Sequence, residues 1–244
     1  MNFNELSWAA VCFYYRSAGD KKYARTMRDA QFISKLRQTP SEVSPKEFEE
    51  KVLLDHVNIQ NYDLLIGHRL AESVLAKIVE LQPEISSLQD ITLLDCDLAD
   101  KDVTEKIKRI YASLYSVPGL WLTGVSKIAH LLNDKLLAML NLDISDYFGL
   151  LEDHTNLVAW LKLVQQNAQE VTRDFHEQGF SGLPEKFLSQ KLGYTDDGYE
   201  KSLVKFLDEY FWLRFGDGLP IPPRWVPPLA QPSELRMRNG NLAT

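Results

Sequence analysis

Two cysteines in 244 residues, Cys12 and Cys96, lie far apart and outside any Cys-x-x-Cys pair. That spacing argues against a zinc ribbon and against a disulfide framework, and both are expected to be core thiols. Histidine is nearly as scarce: His56, His68, His130, His154 and His176 show no His-Glu-x-x-His or other paired metal-ligand spacing, so no metal site is expected. No P-loop, Gly-x-Gly-x-x-Gly, Gly-x-Ser-x-Gly or kinase signature is present, and no cofactor is implied. No apolar run reaches the roughly 18 residues that a bilayer span needs, which predicts a protein without a membrane segment. The start, Met1-Asn2-Phe3-Asn4-Glu5-Leu6, lacks the basic stretch, apolar core and cleavage site of a secretory signal. A soluble, intracellular protein is expected, cytoplasmic or nucleoid-associated. Sustained apolar-polar alternation is also missing, so strands are not predicted.

What is present is helical. Apolar residues recur at three- and four-residue steps through Leu6, Ala9, Ala10, Phe13 and Tyr14, and again through Ala30, Ile33 and Leu36 toward Pro40. Ser44-Pro45 has the N-cap and first-turn proline of a helix start. Further helices are expected over 62–82, ended by Pro83, over 102–115, 123–132, 140–150, 154–177 and 199–214, with a short one from Pro184. Residues 84–100 read as turns. The fold class is all-α, with about nine or ten helices in one domain over 1–215, built as one body or as two interleaved lobes. From Gly216 onward the chain holds six of its eleven prolines, including Pro222-Pro223-Arg224-Trp225-Val226-Pro227-Pro228. This tail, 216–244, is expected to be extended and to end in disorder, with Trp225 packed on the body or offered to a protein partner.

The net charge is −7. It is unevenly spread. Residues 1–37 carry seven basic residues against three acidic ones, and residues 101–135 carry six against three, so the remainder is strongly acidic. The two basic stretches form either a phosphate-attracting face or two ordinary solvated helix faces.

The segment with most chemical content is Val117-Pro118-Gly119-Leu120-Trp121-Leu122-Thr123-Gly124-Val125-Ser126-Lys127-Ile128, followed by an apolar run into Asn141-Leu142-Asp143-Ile144 and Tyr147-Phe148-Gly149. A Pro-Gly turn that opens a helix leaves backbone N–H groups aimed outward, where they hold a phosphate. The order of helix, Val-Pro-Gly turn, helix with Ser-Lys, short connection and Asn-x-x-Ile resembles the helix-hairpin-helix DNA glycosylase superfamily, with the endonuclease III-like fold, over about residues 105–150.

The resemblance implies a turn that grips a DNA phosphate through backbone amides and an acidic residue in a base pocket. Carried over residue by residue, the turn's glycines fall on Gly119 and Trp121, the nucleophilic lysine of one branch falls on Thr123, and the acid falls on Asn141. A threonine hydroxyl forms no Schiff base, and an asparagine is no general base. Asp143 is the nearest carboxylate, but two helical residues rotate it by about 200°. Gly119, Trp121, Thr123, Gly124, Ser126 and Lys127 are the expected nucleic-acid contacts, and double-stranded DNA is the expected partner. The leading reading is a DNA-binding protein of this fold without base-excision activity. Two alternatives stand beside it: a protein-interaction module on the same scaffold, and an active DNA N-glycosylase using a non-standard acid such as Asp143.

Overall fold

The computed structural model describes residues 1–57, 64–150 and 156–220. Among the described residues there is no strand, and twelve α-helices are joined by short 3-10 and π-helical pieces. The all-α expectation holds. The helix count exceeds nine or ten for local reasons. The N-terminal stretch breaks twice, giving α1 (Phe3–Arg16), α2 (Ala18–Arg28) and α3 (Ala30–Gln38). Ser17 leaves helical backbone at the first break, and at the second the Asp29 carboxylate accepts the Phe32 N–H at 3.0 Å as a new N-cap. Pro83 both ends one helix and starts another. After α5 (Leu64–Glu80), it occupies the first turn of α6 (Gln82–Leu88), where its missing N–H is no loss. The turns expected over 84–100 therefore begin only after α6.

The short α4 (Pro45–Phe48) is capped by Ser44, whose hydroxyl accepts the Glu47 N–H at 3.1 Å, and runs into a π-helical stretch, Glu49–Val57. Beyond α6 come α7 (Lys101–Tyr115), α8 (Leu122–Leu132), α9 (Leu142–Tyr147), α10 (Leu157–Glu177), α11 (Pro184–Lys191) and α12 (Leu203–Phe211), the last continued by a π-helical stretch, Trp212–Gly216. The helix expected over 140–150 is thus a short one, because Asn141 caps it and Gly149 closes it in a left-handed conformation with φ of 63°. The expected helix starts near 62 and 154, and the proline-rich tail from 221 with its Trp225, lie outside the described residues.

The buried apolar side chains form one continuous cluster that takes in every long helix. The two ends of the described chain meet in it. The N-terminal amine pairs with Glu170 at 3.0 Å, the Asp174 carboxylate accepts the Phe3 N–H at 2.7 Å, and the Phe3 ring sits edge-on to Phe175 at 4.8 Å. α1 also packs along α12. This closure brings Phe13 and Tyr23 beside Lys205 and Trp212, and the Tyr23 hydroxyl reaches His130 of α8.

Candidate functional site

α8 is the element around which the site is built. Its entry turn exposes Pro118 and Gly119 and buries Val117 and Leu120. Gly119 has φ of 87°, a left-handed conformation that a side chain resists. Trp121 is the N-cap residue and gives no side-chain acceptor to the first amides of α8. Its indole is 75% exposed, so it does not plug the core.

Inside the helix, spacing sorts the side chains. Thr123 and Lys127 are four residues apart on one face and both turn into a cavity of about 500 Å³. Gly124 is buried. A β-carbon there would meet Leu120 Cδ1 at 2.8 Å and Val57 Cγ1 at 3.4 Å, so this glycine serves close packing and is not a ligand contact. Ser126 is also fully buried. Its hydroxyl accepts the Leu140 N–H at 2.9 Å and lies 2.9 Å from the Leu140 carbonyl and 3.1 Å from that of Thr123. The expected contacts of Gly124 and Ser126 with nucleic acid are therefore corrected: one packs the turn, and the other ties α8 to the connection that follows.

That connection, residues 133–141, is non-helical yet almost entirely buried, so its backbone groups need partners. Asn133 donates to the carbonyls of Leu88 and Ile91 while its own oxygen accepts the N–H groups of Lys135 and Leu136. His130 Nδ1 donates to the Leu137 carbonyl at 2.7 Å, and Trp160 Nε1 donates to that of Met139 at 2.9 Å. Held in this way, the connection delivers Met139, Leu140 and Asn141 to the wall of the cavity that Thr123 and Lys127 also line. The Asn141 carboxamide oxygen accepts the Ile144 N–H at 2.8 Å as the N-cap of α9. Asp143, in the first turn of α9, is exposed and lines no part of the cavity.

The rest of the wall was not legible from the expected motif. Phe13 and Ser17 come from the end of α1, Lys22 and Tyr23 from α2, Asp55 and His56 from the π-helical stretch, and Lys205, Asp208 and Trp212 from α12 and its continuation. The lining thus carries three lysines, two aspartates and the rings of Phe13, Tyr23 and Trp212. Asp55 pairs with Arg25 at 3.7 Å and Asp208 accepts from Lys205 at 2.6 Å. Lys127 is placed differently. Its amine donates to the Val57 carbonyl at 3.3 Å, and among the described residues no carboxylate lies within ion-pair distance of it. Burial lowers its pKa, Asp208 opposing the shift and Lys205 adding to it.

His56, on the cavity wall, and His130, on α8 but not in the lining, are both buried, which disfavours their charged forms. Since a carbonyl only accepts, His56 Nε2 donates to the Lys127 carbonyl at 3.0 Å. His130 Nδ1 is committed to Leu137 in the same sense, so its Nε2 accepts the Tyr23 hydroxyl at 2.8 Å. Desolvation pushes the His130 pKa down to about 4 and that of His56 well below its usual value. Tyr23 is held well above its ordinary range by burial.

No protein-family model, no curated protein and no solved structure matches this chain. The chemistry of the site therefore comes from its own geometry. Next to the cavity-lining Lys205, the side chains of Lys201 and Glu209 are both fully buried and paired at 2.8 Å, and Lys201 also donates to the Tyr194 hydroxyl at 2.7 Å. Lys205 stands between this pair and Asp208. The signal for this cluster was in the sequence, as Lys201, Lys205 and Glu209 at four-residue intervals on an otherwise apolar stripe. No group of histidine, cysteine or acidic side chains able to hold a metal occurs among the described residues. No described helix is long and apolar enough to cross a membrane.

Proposed function

We propose that this chain binds double-stranded DNA through the turn between α7 and α8, as a helix-hairpin-helix protein of the glycosylase-like class, and that the cavity receives the nucleotide displaced from the duplex. The observation that carries this reading is the convergence of Thr123, Lys127 and Asn141, from two separate stretches, on one cavity beside the start of α8. Three further features support it. The first amides of α8 have no side-chain cap, Gly119 leaves the approach to them open, and Trp121 offers an exposed ring for stacking on a base or sugar. The cavity volume and its aromatic wall suit a single flipped base or sugar. With Asn141 serving as a helix cap and Thr123 in place of a lysine, those two positions provide neither a carboxylate nor an amine.

The test is fluorescence anisotropy with intact and abasic-site duplexes over a salt series. Binding should weaken with salt with a slope of a few ions and should favour the abasic duplex. Gly119→Val and Trp121→Ala should each reduce affinity about tenfold, a loss of about 1.4 kcal/mol. Absence of binding at low salt would overturn the reading and turn attention to protein partners. A second reading retains base release and moves the acid away from Asp143. It is favoured by Asp55 and Asp208, the carboxylates that line the cavity. On that reading Asp208→Asn abolishes release of damaged bases from duplex DNA while Asp143→Ala leaves it intact.

A further inference from the structure

Leu142 and Tyr147 stand exposed on α9, and Trp212 is partly exposed at the start of the π-helical stretch that follows α12. These positions adjoin. The Tyr147 ring lies 4.2 Å from that of Phe215, and a β-carbon at Gly216 would lie 3.4 Å from Trp212 and 3.7 Å from the Asn141 amide that precedes Leu142. The result is a ridge of aromatic rings with Leu142 at its edge, a surface on which a polyproline helix packs. Asp143 and Asp146 are exposed on the same short helix and give the ridge an acidic border.

The chain itself supplies a segment that matches this face. The Asp217 N–H donates to the Trp212 carbonyl at 2.8 Å and the Leu219 N–H to that of Leu213 at 2.9 Å, while the Asp217 carboxylate pairs with Arg16 at 3.3 Å. Pro220 is thereby fixed at the base of the stretch that carries Trp212 and Phe215. Residues 221–244, outside the described residues, follow directly, and Trp225 lies in the run Pro222-Pro223-Arg224-Trp225-Val226-Pro227-Pro228. At about 3.1 Å per residue in polyproline conformation, Trp225 reaches up to about 16 Å from Pro220. The segment is also basic, with Arg224, Arg236 and Arg238 against the single Glu234, which complements Asp143 and Asp146. We propose that residues 222–228 dock on the ridge of Tyr147, Phe215 and Trp212 of their own chain, with Trp225 as the anchor. A tether this short holds the segment at an effective concentration on the order of 1 mM, so a contact too weak to capture a free peptide is populated within one chain. The prolines restrict the segment before it docks and lower the cost of ordering it. The assignment goes beyond the DNA-binding reading and does not rest on it.

Photocrosslinking in the full chain tests it. With Trp225→p-benzoylphenylalanine, irradiation followed by peptide mass spectrometry should place the main crosslinks on Leu142, Tyr147, Trp212 or Phe215, in a share that stays constant over a tenfold range of protein concentration. Adding Tyr147→Ala should cut the crosslinks to Trp212 and Phe215 at least fivefold, with melting curves confirming that the chain is folded. Without any photoprobe, hydroxyl-radical oxidation of Tyr147 should rise at least threefold in Trp225→Ala relative to wild type. Crosslinks that are absent or spread over the surface, or unchanged oxidation of Tyr147 in Trp225→Ala, would overturn the assignment. Crosslinked dimers whose yield grows with concentration would overturn it too, and would make a second copy of the chain the occupant of the ridge.

Discussion

Lys127 and Lys205 line the same cavity, and the protein treats their charges in opposite ways. Lys205 belongs to α12, and with Asp208, Glu209 and the preceding Lys201 it forms a largely buried network of paired charges, with the Lys201 amine also 4.1 Å from the centre of the Tyr194 ring. Each ammonium there has a carboxylate partner, and desolvation is offset by short charge-assisted hydrogen bonds. Lys127 on α8 has undergone desolvation with, among the described residues, only a carbonyl in return. One lysine is a structural cation; the other is an amine whose charged form the site disfavours. An ion pair fixes geometry, whereas a desolvated amine without an ion-pair partner among the described residues adds nothing of that kind, so the same cavity wall carries two lysines of opposite energetic character.

The strongest way to break this contrast is to remove the network's anion. Glu209→Leu leaves the fully buried Lys201 without its carboxylate and should cost about 3–5 kcal/mol in urea unfolding, while the double variant Lys201→Met/Glu209→Leu should recover most of that loss. A single variant as stable as wild type would show that the network is not what holds α12.

The buried histidines, His130 on α8 and His56 packed against it, give the next effect. The unfolded chain takes up a proton at each near pH 6.5, whereas His130 in the fold does so only near 4, and His56 shifts in the same direction. The unfolded state therefore binds more protons in that window, and stability should fall as pH drops from 6.5 toward 4, by at most about 1.4 kcal/mol per unit for each histidine. His130→Gln should flatten the slope; an unchanged slope would remove His130 from the account. The smallest effect sharpens the comparison. Lys127→Met relieves a desolvated amine and should leave stability unchanged or raise it by up to about 1 kcal/mol, in contrast to the loss for Glu209→Leu. A large loss would mean that Lys127 is structural after all.

Local chemistry was readable where it acts over a few residues. The Pro-Gly turn before α8, the Ser44 cap, the proline that ends α5 and the face shared by Thr123 and Lys127 all depend on backbone sterics and helical pitch. The break at Asp29 was legible in kind, since Asp before an apolar periodic run is an N-cap, but periodicity alone carried the reading past it. The fate of Ser126 was not legible. A serine near a helix start serves a phosphate or a buried backbone amide equally well, and only the passage of Leu140 beside it decides for the amide. Trp121 is the converse case, a large aromatic whose burial depends on what lies opposite the turn.

The sequence by itself determined an all-helical chain, the positions of most helices, the turn at Gly119 and the lack of a carboxylate or amine at positions 141 and 123, because those properties follow from residue type and near-neighbour spacing. Only the tertiary structure decided that Phe13, Tyr23, His56, Thr123, Asn141 and Lys205 share one cavity. It also decided that Asp143 stays outside the cavity while Asp55 and Asp208 line it, and that Lys127 is desolvated with no carboxylate within ion-pair distance among the described residues. Burial and charge pairing are set by segments brought together over most of the chain's length, and no local pattern records which of them will meet.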